Sequence, residues 1–140
     1  QLLPSPSVIK DISFHPEDVD RVFASGEGGI VRSTDNGDSW TRPLGDVDFR
    51  FYFELDLDPQ APETVFTAGW DKGAADDIQP LILEVSEDGG ENFAAFEYEN
   101  AGLRGGALSV LAVVEEGATV LYIGLDRGGI VKVLQPAGPA

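Results

Sequence analysis

At 140 residues the chain is the size of one domain, and its charge is lopsided: 9 Lys and Arg against 25 Asp and Glu, a formal net charge of −16. A surface that acidic repels phosphate, which makes nucleic acid and anionic membranes poor partners. Without Cys there are no disulfides, thiolate metal sites or cysteine nucleophile, and with 42% hydrophobic residues the chain is too apolar to be an acidic disordered segment.

Gln1 opens a chain that also lacks Met, as a processed or excised product would. Residues 1–8 are proline-broken and carry no basic residue, so no signal peptide remains. This reads as a processed chain from an extracytoplasmic compartment, secreted or periplasmic. No apolar run approaches the ~18 residues of a membrane helix. From residue 8 onward short strands are predicted near 8–15, 21–26, 29–34 and 39–43, then near 50–57, 64–70, 80–86 and 92–98, then near 107–115, 119–125 and 129–135. Phe49 to Asp58 alternates apolar and polar for ten residues, the period of a half-buried strand. Leu108 to Val114 and Val120 to Ile123 are nearly continuous apolar runs, as strands covered on both faces are. His15-Pro16-Glu17-Asp18, Glu27-Gly28-Gly29, Asp58-Pro59 and Glu116-Gly117 supply turns between them. With 17 Gly and 9 Pro and no 3.6-residue apolar period, the fold class is all-β.

The strands repeat. Ile12-Ser-Phe-His-Pro16 and Val22-Phe-Ala-Ser-Gly26 return as Leu55-Asp-Leu-Asp-Pro59 and Val65-Phe-Thr-Ala-Gly69, each position offset by 43. A third copy keeps the ten-residue step from Leu111 to Leu121, and Gly28-Gly-Ile-Val-Arg32 recurs as Gly128-Gly-Ile-Val-Lys132. Four antiparallel strands per repeat of ~40–45 residues describe a β-propeller blade. The chain is expected to be a single partial β-propeller over 1–140, with blades at about 8–45, 50–99 and 107–135, the last lacking its outermost strand.

Ser33-Thr-Asp35-Asn-Gly37-Asp-Ser-Trp40 and Ser86-Glu-Asp88-Gly-Gly90-Glu-Asn-Phe93 sit at the same place in units one and two. Both fit Ser-x-Asp-x-Gly-x-x-aromatic, and the chain resembles the Asp-box, or BNR-repeat, propellers of the sialidase type. The wider rhythm Gly26-x-x-Gly29-Ile30-x-x-Ser33 is also similar to photosystem II assembly-factor-like propellers, to sortilin-type receptors and to xyloglucan-degrading hydrolases. Unit three departs from the box, with Val133 in the serine's place. The resemblance implies that Ser33, Asp35, Gly37, Trp40, Ser86, Asp88, Gly90 and Phe93 are structural. The carboxylate accepts turn N–H groups, the glycine supplies positive φ and the aromatic plugs the hairpin. The spacing lacks the alternating oxygen ligands of a calcium loop, so no metal and no cofactor is expected.

In such a propeller the family's ligands bind at the loops after the second and fourth strands. Candidate binding residues there are Trp70, Asp71, Lys72, Asp76, Asp77, Arg104, Asp126 and Arg127. Gly69 and Ser86 lie 17 positions apart where Gly26 and Ser33 lie 7 apart, and this long hairpin carries Trp70. It is either a protein- or glycan-binding tip or a loop whose Trp packs on the neighbouring blade. No catalytic residue is assigned. The sialidase Arg-Ile-Pro signature is missing after Arg50, His15 is the single histidine, and phosphate-binding glycine motifs are absent. The expected role is a non-enzymatic protein-binding or scaffolding segment. Its partner would be another subunit, a second copy or the rest of a parent propeller. The alternative is a fragment of a polysaccharide- or sialoside-acting hydrolase, because fold does not fix function.

Overall fold

The computed structural model describes residues 8–45, 47, 50–71, 81–95 and 105–134. Its strands are β1 (Val8–His15), β2 (Asp18–Glu27), β3 (Gly29–Ser33), β4 (Arg50–Leu57), β5 (Val65–Asp71), β6 (Leu81–Ser86), β7 (Ala94–Ala95), β8 (Ala107–Glu115), β9 (Ala118–Leu125) and β10 (Gly129–Leu134). No described residue is helical. Strands adjacent in sequence pair antiparallel as meanders β1–β2–β3, β4–β5–β6–β7 and β8–β9–β10. After β1, β2, β8 and β9 the turns are only one to three residues long and leave no room for any other connection. The three meanders are blades of a partial β-propeller, with β4 lying between β1 and β8. A single bridge from Glu27 to Phe51 also joins the first two sheets at one end.

The first outer strand is shorter than the sequence predicts: the strand expected at 39–43 reduces to one bridge between Arg32 and Thr41. Of the strand expected at 92–98, the described residues hold Ala94–Ala95, paired with β6. The Ser-x-Asp-x-Gly turns use the residues leading into them, and Pro43 lacks an N–H with which to prolong the first ladder. Residues 96–98 and the chain after Leu134 lie outside the described residues.

Each inner strand also carries a bulge that the apolar pattern does not announce. The register slips between Ile9 and Asp11, between Tyr52 and Glu54, and between Ala107 and Ser109. The extra residues Lys10, Phe53 and Leu108 occupy equivalent places, and such bulges sharpen the strand twist.

Strand alternation divides blade two between its neighbours. Tyr52, Leu55, Leu57 and Val65 pack with Phe23 and Ile30 of blade one. On the other face Phe66, Ala68, Leu81 and Leu83 pack with Val110, Ala112, Leu121 and Ile123 of blade three. There are thus two cores, each lying between blades. Phe23 and Phe66, 43 positions apart, are both buried and both face the next blade.

Candidate functional site

The two Ser-x-Asp-x-Gly turns have the same construction. The Ser33 hydroxyl donates to Asp35 Oδ1 (2.8 Å) and its oxygen accepts from Gly37 N (2.9 Å), while Asp35 Oδ1 accepts from Ser39 N (2.8 Å). The Ser86 hydroxyl donates to Asp88 Oδ1 (2.7 Å) and accepts from Gly90 N (2.9 Å), and Asp88 accepts from Asn92 N (2.9 Å) and Asn92 Nδ2 (2.8 Å). Gly37 and Gly90 have φ of 88° and 85°, where a side chain would be strained. Gly90 is doubly constrained, because a Cβ there would enter the Phe23 ring. Trp40 folds back and donates Nε1–H to Gly37 O (2.9 Å). Phe93 instead packs against the core between blades one and two.

Each aspartate is thus committed to its own turn. Asp35 is held below the usual carboxylate range first by the Ser39 hydroxyl, then by the Ser39 N–H. Asp88 is held lower still, first by the Asn92 amide and then by the Asn92 N–H. A depressed folded pKa contributes stability that is present above the unfolded value of about 4 and lost as pH falls through the folded value. In an acid titration followed by circular dichroism, the variant carrying Asp35→Asn and Asp88→Asn is expected to be less stable at pH 7. Its acid limb should also be shallower than the parent's, and an unchanged limb would contradict this role.

Of the candidate binding residues, Lys72, Asp76, Asp77 and Arg104 lie outside the described residues. The rest converge. Trp70, half-buried at the end of β5, meets Phe51 edge-on at 6.1 Å and Phe53 edge-on at 5.7 Å. Its indole lies so close over Gly106 that a Cβ on that glycine would overlap it. Gly106 O accepts from Asp126 N (3.0 Å), and Arg127 Nε lies 3.5 Å from Asp126 Oδ2. Trp70 is therefore wedged between blades two and three, with Asp126 and Arg127 on the adjoining turn. Its Nε1 is buried without a hydrogen-bond partner among the described residues. Asp71 lies beside Arg50 and helps to raise its pKa, behind the larger effect of the Tyr52 hydrogen bond.

Three clusters were not legible in the sequence. At the first, the fully buried Tyr52 donates its hydroxyl to Glu84 Oε2 (2.9 Å), with Arg50 Nη1 3.3 Å from Glu84 Oε1. Burial, and then the Glu84 charge, pushes the Tyr52 pKa well above its ordinary value. A nucleophilic tyrosine needs the opposite environment. The one sequence hint was Glu84 interrupting the apolar run from Leu81 to Val85.

The second cluster lies on the inner strands. Glu54 Oε2 accepts from Val110 N (2.9 Å) and Asp56 Oδ2 from Ala112 N (2.8 Å), satisfying donors on the edge of β8 that β9 leaves free. Burial raises both carboxylates above their usual range, opposed by these N–H bonds, and Asp11 of blade one adds repulsion to each. The third is at the opposite corner, where Asp58 accepts from the Thr119 hydroxyl (2.7 Å) and from Gln60 N (2.9 Å). Its repeat equivalent His15 is also buried, with Nδ1 accepting from Glu17 N (3.2 Å) and Nε2 3.7 Å from Glu63. Among the described residues no cluster of three His, Cys, Asp or Glu is placed to hold a metal ion.

No family model and no curated protein matches the chain. Among solved structures it is similar to an ancestral GH74 enzyme, with a TM-score of 0.66 at 15% identity over 89% of this chain and 17% of that one. It is also similar to YCF48 from Cyanidioschyzon merolae, with a TM-score of 0.59 at 20% identity over 95% of this chain and 41% of that one. The chain spans less than half the length of either. At these identities the likeness is one of fold: propeller blades, and part of a ring.

Proposed function

We propose that the chain is a segment of an Asp-box β-propeller that serves as a non-enzymatic binding scaffold, presenting an acidic surface to a basic face of another protein. What supports this is the way its acids are spent. Glu54 and Asp56 hold the edge of the next inner strand, and Glu84 is bound by Tyr52 and Arg50. An acid pair free to work on a glycosidic bond needs open oxygens on either side of a substrate groove. With −16 on 140 residues, association with a basic partner is steered by charge and weakens as salt rises.

The hydrolase reading keeps one favourable observation: Glu54 and Asp56 are raised, as a general acid must be. The test is release of reducing sugar or sialic acid from xyloglucan and sialyllactose. No release above the buffer control is expected. Release that disappears in Glu54→Gln or Asp56→Asn would overturn the scaffold.

A further inference from the structure

The two Ser-x-Asp-x-Gly turns fill one position differently. Asn36 and Gly89 stand fourth in their turns, with φ of 55° and 72°. Glycine takes that left-handed conformation freely, and asparagine and aspartate take it more readily than other residues. The turn therefore favours Asn or Gly at its fourth position and glycine at its fifth. The second turn has Gly89-Gly90, whereas the first has Asn36-Gly37. An asparagine followed by glycine is chemically labile. With no side chain in the way, the glycine nitrogen can reach the carbon of the asparagine's own side-chain amide.

Asn36 is exposed, so water reaches its amide, and what opposes the reaction is the turn itself. The nucleophile, Gly37 N, must first lose its proton, and that N–H is donated to Ser33 Oγ (2.9 Å). Ser33 is 1% exposed, which shields the bond from hydroxide. The same hydroxyl donates to Asp35 Oδ1 (2.8 Å), and that carboxylate, held ionised, disfavours a second negative charge on Gly37 N. Asn36 N donates to Asp20 O (2.9 Å) and Trp40 Nε1 to Gly37 O (2.9 Å), so the segment is held on both sides. The second turn is less open to this chemistry. Its Asp88-Gly89 step has the same route, but Asp88 is kept as a carboxylate, a poor electrophile, and Gly89 N donates to Glu63 O (2.8 Å).

We propose that Asn36 is a site of spontaneous deamidation, and that the opening of its own turn sets the rate. Once the turn opens, deprotonated Gly37 N forms a bond to Asn36 Cγ, the Cγ–Nδ2 bond breaks, and ammonia leaves with a proton from water. Water then opens the cyclic imide at either carbonyl, leaving aspartate or isoaspartate at position 36. The net change exchanges the amide nitrogen for an oxygen of water and needs no oxidant or reductant. In isoaspartate the main chain runs through an additional carbon, so Gly37 N no longer meets Ser33 Oγ and the turn cannot reclose. Either product also adds a carboxylate between Asp35 and Asp38, in a chain whose net charge is already −16. Each opening that reacts is thus recorded permanently.

Peptide mapping by mass spectrometry, with isoaspartyl methyltransferase labelling, follows position 36 in the 140-residue chain at mildly alkaline pH. The folded parent is expected to deamidate about tenfold more slowly than the same chain in urea, as the loss of one buried hydrogen bond would require. Ser33→Ala should move the folded rate toward the rate in urea, while Ser86→Ala, which opens the second turn, should leave it at the parent's. Asn36→Gly, which copies the second turn, should keep its urea midpoint through an incubation in which the parent's falls. Equal rates for the parent folded and in urea would overturn the gating, and no product at Asn36 in urea would overturn the site. A rate raised equally by Ser86→Ala would also overturn the gating, because global unfolding would then be the controlling step. Should Ser33→Ala fail to fold, the parent in urea below its unfolding midpoint replaces it. The rate at Asn36 is expected to rise there before circular dichroism changes, and a rise only with unfolding would contradict a gate in the turn.

Discussion

Phe66→Ala is expected to destabilise the chain by about 3–5 kcal/mol, the usual cost of removing a fully buried phenylalanine from a packed core. Phe66 is 0% exposed and lies among Leu83, Leu121 and Ile123, at the junction of blades two and three. Strands β8 to β10 touch the rest of the molecule through this junction, so a cavity here weakens the docking of a whole blade. A domain of this size has a total stability of roughly 5–15 kcal/mol, and the loss consumes much of it. Urea unfolding should show a lower midpoint with an unchanged slope. Phe23→Ala, at the equivalent place one blade earlier, should cost a similar amount because that ring is also buried, against Gly90. A cost below about 1 kcal/mol at both positions would mean that the blades do not depend on these junctions.

Glu84→Ala is expected to cost about 2–3 kcal/mol, because it leaves the buried Tyr52 hydroxyl without its acceptor. Arg50 is 39% exposed, so water compensates part of the lost ion pair and the cost stays below that of a fully buried one. Glu84→Gln keeps an acceptor for Tyr52 and should lose less than half as much. The same cluster governs the alkaline limit. Tyr52 ionises later in the folded chain than in the unfolded one, so its contribution is complete below the unfolded value of about 10 and is lost as pH rises through the folded value. Removing Glu84 removes one cause of that shift, and tyrosinate absorbance should then appear at lower pH than in the parent. Unchanged stability and an unchanged tyrosine titration in Glu84→Ala would dismiss the cluster as a structural element.

Both predictions concern contacts between blades, and that is where the reading of the sequence stops. The alternation from Phe49 to Asp58, the glycine turns and the offset of 43 locate the strands to within three residues, except for the short outer ones. The hydrogen bonds that Asp35 and Asp88 accept from their own turns are equally local, since donor and acceptor lie within four residues. Glu54 and Asp56 looked like the solvent side of an alternating strand, yet their partners Val110 and Ala112 are 56 residues away. Packing of Trp70 on a neighbouring blade was one of its two readings from the sequence, but its seat was not legible, because Gly106, which makes room for it, belongs to the next blade.

The sequence by itself thus determined an all-β chain of repeated hairpins with two internally bonded acidic turns, because alternation, turn chemistry and Asx-type bonding act over a few residues. Only the tertiary structure decided which face of each blade is covered. It paired Tyr52 with Glu84, turned the inner-strand acids into ties between blades, and left Ile12, Phe14, Leu111 and Ile130 in water. The reason is physical: a strand's two faces are set by its own alternation, but their burial depends on a neighbouring sheet tens of residues away.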